Sequence, residues 1–396
     1  MAEVVTDSRY GRGGMTQNAL IVMAMTILSG LLGLLRESVI SPQFGTGDEY
    51  AAYQAAFSVP DFIYFLVIGG ALGSAFIPVF TAYLSRRDDA GAWLLASRVL
   101  NLALIVAVAA AGLAFGLAPL LVRYITAPGF TDAYRFDLTV RLTRLLLLQP
   151  ILLGIGGLAM AALNSFRRFL LTSLAPLVYN LGIIAGTLFL APYLGIDGVV
   201  AGVLGGAVLY VLVLLPGLFL CRARYVPSLD WRDAGVREVG RLLLPRILGQ
   251  AAFQVNFIAI KALASFRGSI GVGAIWYAYR LLGLPLSILG ISLGTVVFPT
   301  LSTLANEGRM EEFRSTLARM VRVVLFLSLP AGALLLVLRE PLVRLLFERG
   351  EFSESSTAAT AQALLCFSLG LAAACVTEIV LRAFYALHDT RTPVIV

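Results

Sequence analysis

Apolar residues run along this chain in long blocks, with the polar positions gathered between them, and nowhere in the strict alternation of a half-buried strand. A helix of roughly 20 apolar residues crosses about 30 Å of hydrocarbon at about 1.5 Å per residue, and blocks of that length recur from one end to the other. Ten spans are predicted, at about 15–35, 55–84, 94–122, 137–163, 169–191, 197–221, 242–265, 272–303, 317–338 and 358–387. An open strand edge cannot be satisfied in lipid, so the expected fold class is an all-α polytopic membrane protein. Pro78, Pro150, Pro176, Pro285 and Pro299 fall inside spans and predict kinks rather than ends.

The blocks also repeat. Leu72-Gly73-Ser74-Ala75-Phe76-Ile77-Pro78 is answered 221 positions later by Leu293-Gly294-Thr295-Val296-Val297-Phe298-Pro299, Arg98 by Arg319, and Pro119-Leu120-Leu121-Val122-Arg123 by Pro341-Leu342-Val343-Arg344. Two parallel copies of a helical bundle are a recurrent plan of secondary transporters, with the substrate site between the copies. The expected organisation is a short segment 1–14, an N-lobe of six spans at 15–235 and a C-lobe from 236 to 396, arranged pseudo-symmetrically around a central cavity. In this register spans 5 and 6 have partners at about 390–443, beyond Val396, so the second lobe is expected to be incomplete.

Composition agrees with the membrane reading: 59% of residues are hydrophobic, 13% are charged, and mean hydropathy is +0.88. With residue 1 on the cytoplasmic side, inner loops and flanks hold seventeen cations and outer ones seven. This bias predicts a cytoplasmic N-terminus. The net charge of +7 then reflects topology, and no nucleic-acid partner is inferred. No short apolar segment with a cleavage site precedes the first span, so no cleaved signal peptide is expected. Around Arg339–Arg349, leucines alternate with charges, which predicts a short interfacial helix on the outer surface.

Ionisable residues inside spans are expensive and therefore functional candidates. They are Asp61, Arg141, Arg144, Arg246, Lys261, Arg280, Glu378 and Arg382, with Arg36 and Glu37 at the predicted outer end of span 1. Lys261 is the single lysine among thirty cations. Either it snorkels to outer headgroups, or it meets a phosphate or carboxylate as a point charge. Arg280, eight residues into span 8, has no acid within one turn. Arg36, Lys261 and Arg280 are expected to converge on the outer half of the cavity and suit a pyrophosphate, with Glu37 as a local neutralising partner. Their repeat equivalents, Phe257, Ile40 and Val59, carry no charge. Asp61 is a secondary candidate. Arg141 and Arg144, on one face of span 4, either rim the cavity or contact headgroups, and Glu378 is spaced to pair with Arg382.

Nothing points to an enzyme: no His, Cys, Asp or Glu cluster has catalytic spacing. His388 lies in a loop, and Cys221, Cys366 and Cys375 lack metal spacing, so no metal or cofactor is expected. Gly69-Gly70 and Gly205-Gly206 fit close helix packing better than phosphate binding.

Several motifs together resemble those of the MurJ/MviN lipid II flippases of the MOP exporter superfamily. They are Leu163-Asn164-Ser165-Phe166-Arg167-Arg168-Phe169 with Ala175-Pro176 and Tyr179-Asn180-Leu181-Gly182; the Leu293–Leu301 segment; Glu340-Pro341 with Leu345-Leu346-Phe347-Glu348-Arg349-Gly350; and Arg382-Ala383-Phe384-Tyr385-Ala386-Leu387 with Asp389-Thr390-Arg391-Thr392-Pro393. The resemblance runs from about residue 15 to the end. It implies a MOP-exporter fold, usually of fourteen spans, in a bacterial cytoplasmic membrane. The implied activity is transfer of the undecaprenyl-pyrophosphate-linked peptidoglycan precursor to the outer leaflet by alternating access. Implied partners are that precursor, membrane lipids and the cell-wall synthesis machinery; coupling to a monovalent cation or to the membrane potential stays open. The family's arginine-acid pair matches Arg36-Glu37, and its span 8 Tyr-Ala-Asp-Arg-Leu matches Tyr277-Ala278-Tyr279-Arg280-Leu281, without the acid. Other charges of the family pattern fall on Gly30, Ala51, Tyr64 and Phe65. Two other readings remain: a cation-coupled exporter of drugs or of another lipid-linked saccharide, for which Asp61 is the candidate acid, and a non-transporting membrane scaffold.

Overall fold

A computed structural model describes residues 12–67, 71–387, 389 and 392; Gly69-Gly70, His388 and the side chain of Arg246 lie outside the described residues. The described residues are mostly helical, with no strand. Fifteen helices follow one another: α1 (Arg12–Phe44), α2 (Asp48–Ala56), α3 (Ser58–Val67), α4 (Ala71–Ser85), α5 (Asp89–Leu121), α6 (Ala133–Leu146), α7 (Leu148–Ser165), α8 (Phe169–Ala185), α9 (Ala191–Leu194), α10 (Ile196–Leu220), α11 (Ala234–Ser265), α12 (Gly268–Pro285), α13 (Leu293–Asn306), α14 (Met310–Phe347) and α15 (Glu354–Ala386). Wider π-turns at Val122–Thr126, Gly186–Leu190 and Leu286–Ser292 extend α5, join α8 to α9, and join α12 to α13. Among the described residues eight helical stretches are long and apolar enough to cross a membrane, so the chain is a multi-pass membrane protein. They cover predicted spans 1, 3, 4, 5, 6, 8, 9 and 10; span 7 is the second half of α11.

Three predicted boundaries change. Span 1 extends to Phe44, so Arg36 and Glu37 lie two turns inside α1 instead of closing it. Adjacent charges read as a helix end in a sequence; here they neutralise each other and the helix continues. Span 2 is not one helix: it begins early, at Asp48, and breaks at Phe57 between α2 and α3. Pro60 explains the break, because its ring displaces the carbonyl four residues back, at Ala56, and it has no N–H to donate. The third change removes the predicted interfacial helix, since residues 339–347 complete α14 in one piece. Val343 and Phe347 are fully buried there, and Phe347 packs on Tyr277 with ring centroids 4.8 Å apart.

The repeat is visible in the helix ends. α6 opens at Ala133 and α15 at Glu354, α7 closes at Ser165 and α15 at Ala386. Their N-caps are equivalent too: the Asp132 side chain accepts from Arg135 N, and that of Ser353 from Ser356 N. At the far end of the bundle Arg87 (φ 59°) and its counterpart Gly308 (φ 71°) both turn the chain in the left-handed region.

Towards the arginine-rich end α11 packs on α3 and α4, with Val236 and Val239 in the first copy's core. At the other end hydrogen bonds tie the two copies together. Ser41 donates to the Phe347 carbonyl, Thr46 bonds Ser356, Ser269 bonds Asp48, Tyr277 donates to the Gly45 carbonyl, and Glu351 N donates to the Pro42 carbonyl at 2.9 Å. Gly45 and Gly350 make this closeness possible. Both have positive φ, and a Cβ would sit 2.3 Å from the Glu351 oxygen in one case and 2.2 Å from the Pro42 oxygen in the other. We call this the closed end. At the opposite, arginine-rich end the loop linking the copies is tied to the first: Arg98 pairs with Asp233 at 2.7 Å, and Asn101 donates to the Ser228 carbonyl.

Within the first copy, α8 and α10 cross in backbone contact. Gly182 and Gly186 face Gly198, Gly202 and Gly206 at one-turn intervals, and an added Cβ at Gly186 would lie 2.4 Å from the Gly202 Cα. The neighbouring Gly205 has nothing within 4 Å, so of the Gly205-Gly206 pair only the second serves packing. Gly202→Val is therefore expected to destabilise the bundle by about 1–3 kcal/mol or more through overpacking. Gly205→Ala is expected to be neutral, and melting of both variants in detergent checks the contrast.

Candidate functional site

A charged cluster lies between the two copies, just below the closed end. Glu37 is at its centre and is 1% exposed. Arg36 donates to its Oε1 at 2.6 Å, Tyr50 donates to Oε2 at 2.7 Å, and the Trp276 indole donates to Oε1 at 3.4 Å. The Arg280 guanidinium stands 3.7 Å from the same Oε1. One carboxylate thus holds two arginines, one from each copy. A second Arg36 bond, 3.2 Å to the Asn180 Oδ1, fixes the guanidinium against α8.

Lys261 joins the cluster from α11. It is 7% exposed and donates to the Gln54 carbonyl at 3.0 Å, so it does not snorkel to headgroups. Its Nζ lies over the Trp276 ring at 5.0 Å, and Arg280 lies over the same ring at 4.8 Å. The break after α2 bears on Lys261 directly, because Gln54 sits in the last turn of α2, just before Phe57. Asp61, on α3, feels the charges of Lys261, Arg280 and Arg36, and forms no ion pair within 4 Å. Counting along the helices places Arg36 about 12 Å, Lys261 about 6 Å and Arg280 about 18 Å from the closed ends of α1, α11 and α12.

Three predicted residues, Arg36, Lys261 and Arg280, therefore do converge, with Glu37 as the acid that orients two of them. Burial leaves some of their donors unused. The Nε atoms of Arg36 and Arg280 are buried and have no hydrogen-bond partner. Three cations against Glu37 leave the cluster positive, which suits an anion with several oxygens.

The other secondary candidates are elsewhere. Arg141 pairs with Asp197 at 2.7 Å, and Arg144 donates to the Phe115 carbonyl and lies over the Phe115 ring. Both line an open cleft on the outside of the first copy, so the cavity-rim alternative is discarded. Glu378 pairs with Arg382 at 2.7 Å one turn away, as its spacing predicts, and Arg382 packs against Gly294.

Trp276, Tyr50 and Asn180 belong to the site without having been singled out for it. Trp276 precedes Arg280 by four residues, which places the two on one helix face, and that spacing was readable. Tyr50 gave no signal: it precedes the predicted start of span 2, and only the fold stacks it on Tyr277 at 4.7 Å.

Comparison with known proteins places this geometry. The family model described as lipid II flippase MurJ matches residues 40–396. A probable lipid II flippase MurJ of Rhizobium meliloti is 33% identical over 388 residues, covering 93% of this chain and 70% of that protein. The lipid II flippase MurJ of Burkholderia cenocepacia is 29% identical over 391 residues, covering 95% and 74%. A solved lipid II flippase MurJ in an inward closed conformation superposes with a TM-score of 0.81 at 24% identity, over 95% of this chain and 78% of that one. A multidrug resistance MATE transporter of the MOP superfamily, inward-facing, superposes with a TM-score of 0.80 at 17% identity, over 95% and 86%. The two superpositions establish the shared MOP fold.

Removing Glu37 tests the electrostatics of the cluster. Glu37→Gln leaves the buried Arg36 and the half-buried Arg280 without their shared counterion, and a loss of about 3–5 kcal/mol in unfolding stability is expected. The double variant Arg36→Gln/Glu37→Gln should lose less than the sum of the two single changes, as read by a double-mutant cycle in detergent.

Proposed function

The chain belongs to the lipid II flippase MurJ family, and from that premise we propose that Arg36, Arg280 and Lys261 clamp the pyrophosphate of the lipid-linked peptidoglycan precursor as it is moved across the membrane. The observation that carries this reading is the convergence of three cations on a single carboxylate, Glu37, between the two copies. Arginine pairs with phosphate oxygens through planar, forked donors, and Lys261 adds a compact charge above them. Glu37 is a positioning residue: its oxygens already accept from Arg36, Tyr50 and Trp276.

The excess of loop arginines at the end opposite the closed one orients that end towards the cytoplasm of a bacterial cytoplasmic membrane. The closed end is then the outer one. Outward transfer follows when the hydrogen bonds that join Ser41 to Phe347, Thr46 to Ser356, Ser269 to Asp48 and Tyr277 to Gly45 part and the two copies close at the cytoplasmic side. No covalent step is required. An inside-negative potential favours the outward passage of an anion by about 2.3 kcal/mol per charge per 100 mV, so the membrane potential is a sufficient driving force. A coupled monovalent cation would be additional, with Asp61 as the acid nearest the cluster. The outer-leaflet product goes to the cell-wall synthesis machinery.

The test is complementation of a strain depleted of its own flippase. Wild-type protein is expected to restore growth and outer-leaflet precursor, while Lys261→Ala and Arg280→Ala are expected to lower translocation at least tenfold at equal membrane abundance. Intact translocation in both variants would sink the clamp. Failure of the wild-type protein at normal abundance would count against the flippase reading itself.

A further inference from the structure

A second polar site lies on an exposed face of α6 in the first copy, while the buried face of the same helix packs on α2 beside the cluster. It is a cleft of about 490 Å³ between α5 and α6, lined by Phe115, Asp137, Val140, Arg141, Arg144 and Leu145. Its charges come from one helix face. Asp137, Arg141 and Arg144 are spaced by four and three residues, and by the helical rise they lie about 6, 12 and 16 Å from the closed end of α6. The surroundings are lipid-facing: Leu113 is 66% and Leu148 54% exposed.

An arginine on a lipid-facing surface at that depth is expensive unless it meets an anion. Arg144 has no carboxylate within ion-pair distance among the described residues; its Nε donates to the Phe115 carbonyl, and its guanidinium plane lies 4.9 Å from the Phe115 ring centroid. The terminal nitrogens make no hydrogen bond among the described residues. Arg141 spends one nitrogen on Asp197 and remains 55% exposed. Asp137 is exposed and makes no ion pair with Arg141, although the spacing allows one. The internal repeat shows that this arrangement is not inherited from the bundle. In the second copy the equivalent positions are Ala358, Gln362 and Leu365.

We propose that this cleft binds the headgroup of a zwitterionic aminophospholipid of the surrounding leaflet, with the phosphate held by Arg144 and Arg141 and the ammonium by Asp137. The order along the helix suits that ligand. The acid is nearer the membrane surface than the arginines, as an ammonium carried outward of its phosphate requires, and the acyl chains continue along Leu145 and Leu148. A purely anionic lipid would bring its headgroup against Asp137 without a positive partner. The site needs only a membrane-embedded chain, so it stands independently of the flippase reading.

Native mass spectrometry of the detergent-purified protein tests it, with phosphatidylethanolamine and phosphatidylglycerol of equal chain length added in turn. Wild-type protein is expected to bind phosphatidylethanolamine several-fold more tightly than phosphatidylglycerol. Arg144→Gln should weaken both at least fivefold, Arg144→Lys should retain most of the binding, and Asp137→Asn should erase the preference between the two. Arg123→Gln, an arginine of the same end outside the cleft, should change neither. Equal binding of both lipids by the wild type, or unchanged phosphatidylethanolamine binding in Arg144→Gln, would overturn the proposal. So would displacement of the bound lipid by equimolar undecaprenyl phosphate, which lacks the ammonium. Asp137→Asn alters an exposed side chain and keeps the test decisive if Arg144→Gln fails to fold.

Discussion

A carboxylate buried in the middle of a membrane protein must be compensated on every side, and Glu37 is compensated by residues of both copies. Arg36, next to it on α1, and Tyr50 on α2 come from the first copy; Arg280 and Trp276 on α12 come from the second. Taking these groups out of water costs several kcal/mol per ion, and only close geometry recovers it. The contact therefore fixes how α1, α2 and α12 meet. Tyr50 stacks on Tyr277, and Tyr277 in turn packs on Phe347 and Phe352. The closed end is consequently continuous with the charged cluster: a polar centre capped by an aromatic layer that shuts off one side of the bundle.

That coupling has a functional meaning. If the closed end opens, Glu37 must part from either Arg280 or its own neighbours, because its ligands lie on both moving bodies. An incoming polyanion competes with Glu37 for the same guanidinium groups and lowers the cost of that separation. Substrate binding and the change of access thus draw on one set of charges. Lys261 adds to the positive field from the same side, and its bond to the Gln54 carbonyl also joins the two copies.

The duplication separates scaffold from function. The copies share helix ends, N-caps at Asp132 and Ser353, and left-handed turns at Arg87 and Gly308, all of which are backbone devices. Charges that carry chemistry are unmatched: Arg36, Lys261 and Arg280 in the cluster, and Asp137, Arg141 and Arg144 in the outer cleft. A repeated bundle supplies two surfaces of the same shape, and single-copy charges make the cavity between them asymmetric, as a vectorial process requires.

Composition and periodicity alone determined that this chain is helical and crosses the membrane many times, because lipid leaves the backbone no other way to satisfy its hydrogen bonds. The 221-residue repeat likewise determined the two-copy plan, and the cost of burying charge picked out Arg36, Lys261 and Arg280. The sequence misplaced what depends on neutralisation at a distance. It ended α1 at Arg36-Glu37, since the partners that make the pair acceptable inside a helix lie some 240 residues away. It read 55–84 as one span, although Pro60 was visible, because a proline in a span marks either a kink or a break and only the packing of α2 against α6 and α12 makes it a break here. Lys261 was left between headgroup and cavity until Gln54 and Trp276 were seen around it. Tertiary structure decided these points because the energy of a buried charge depends on every group within a few ångströms, and most of those groups are far away along the chain.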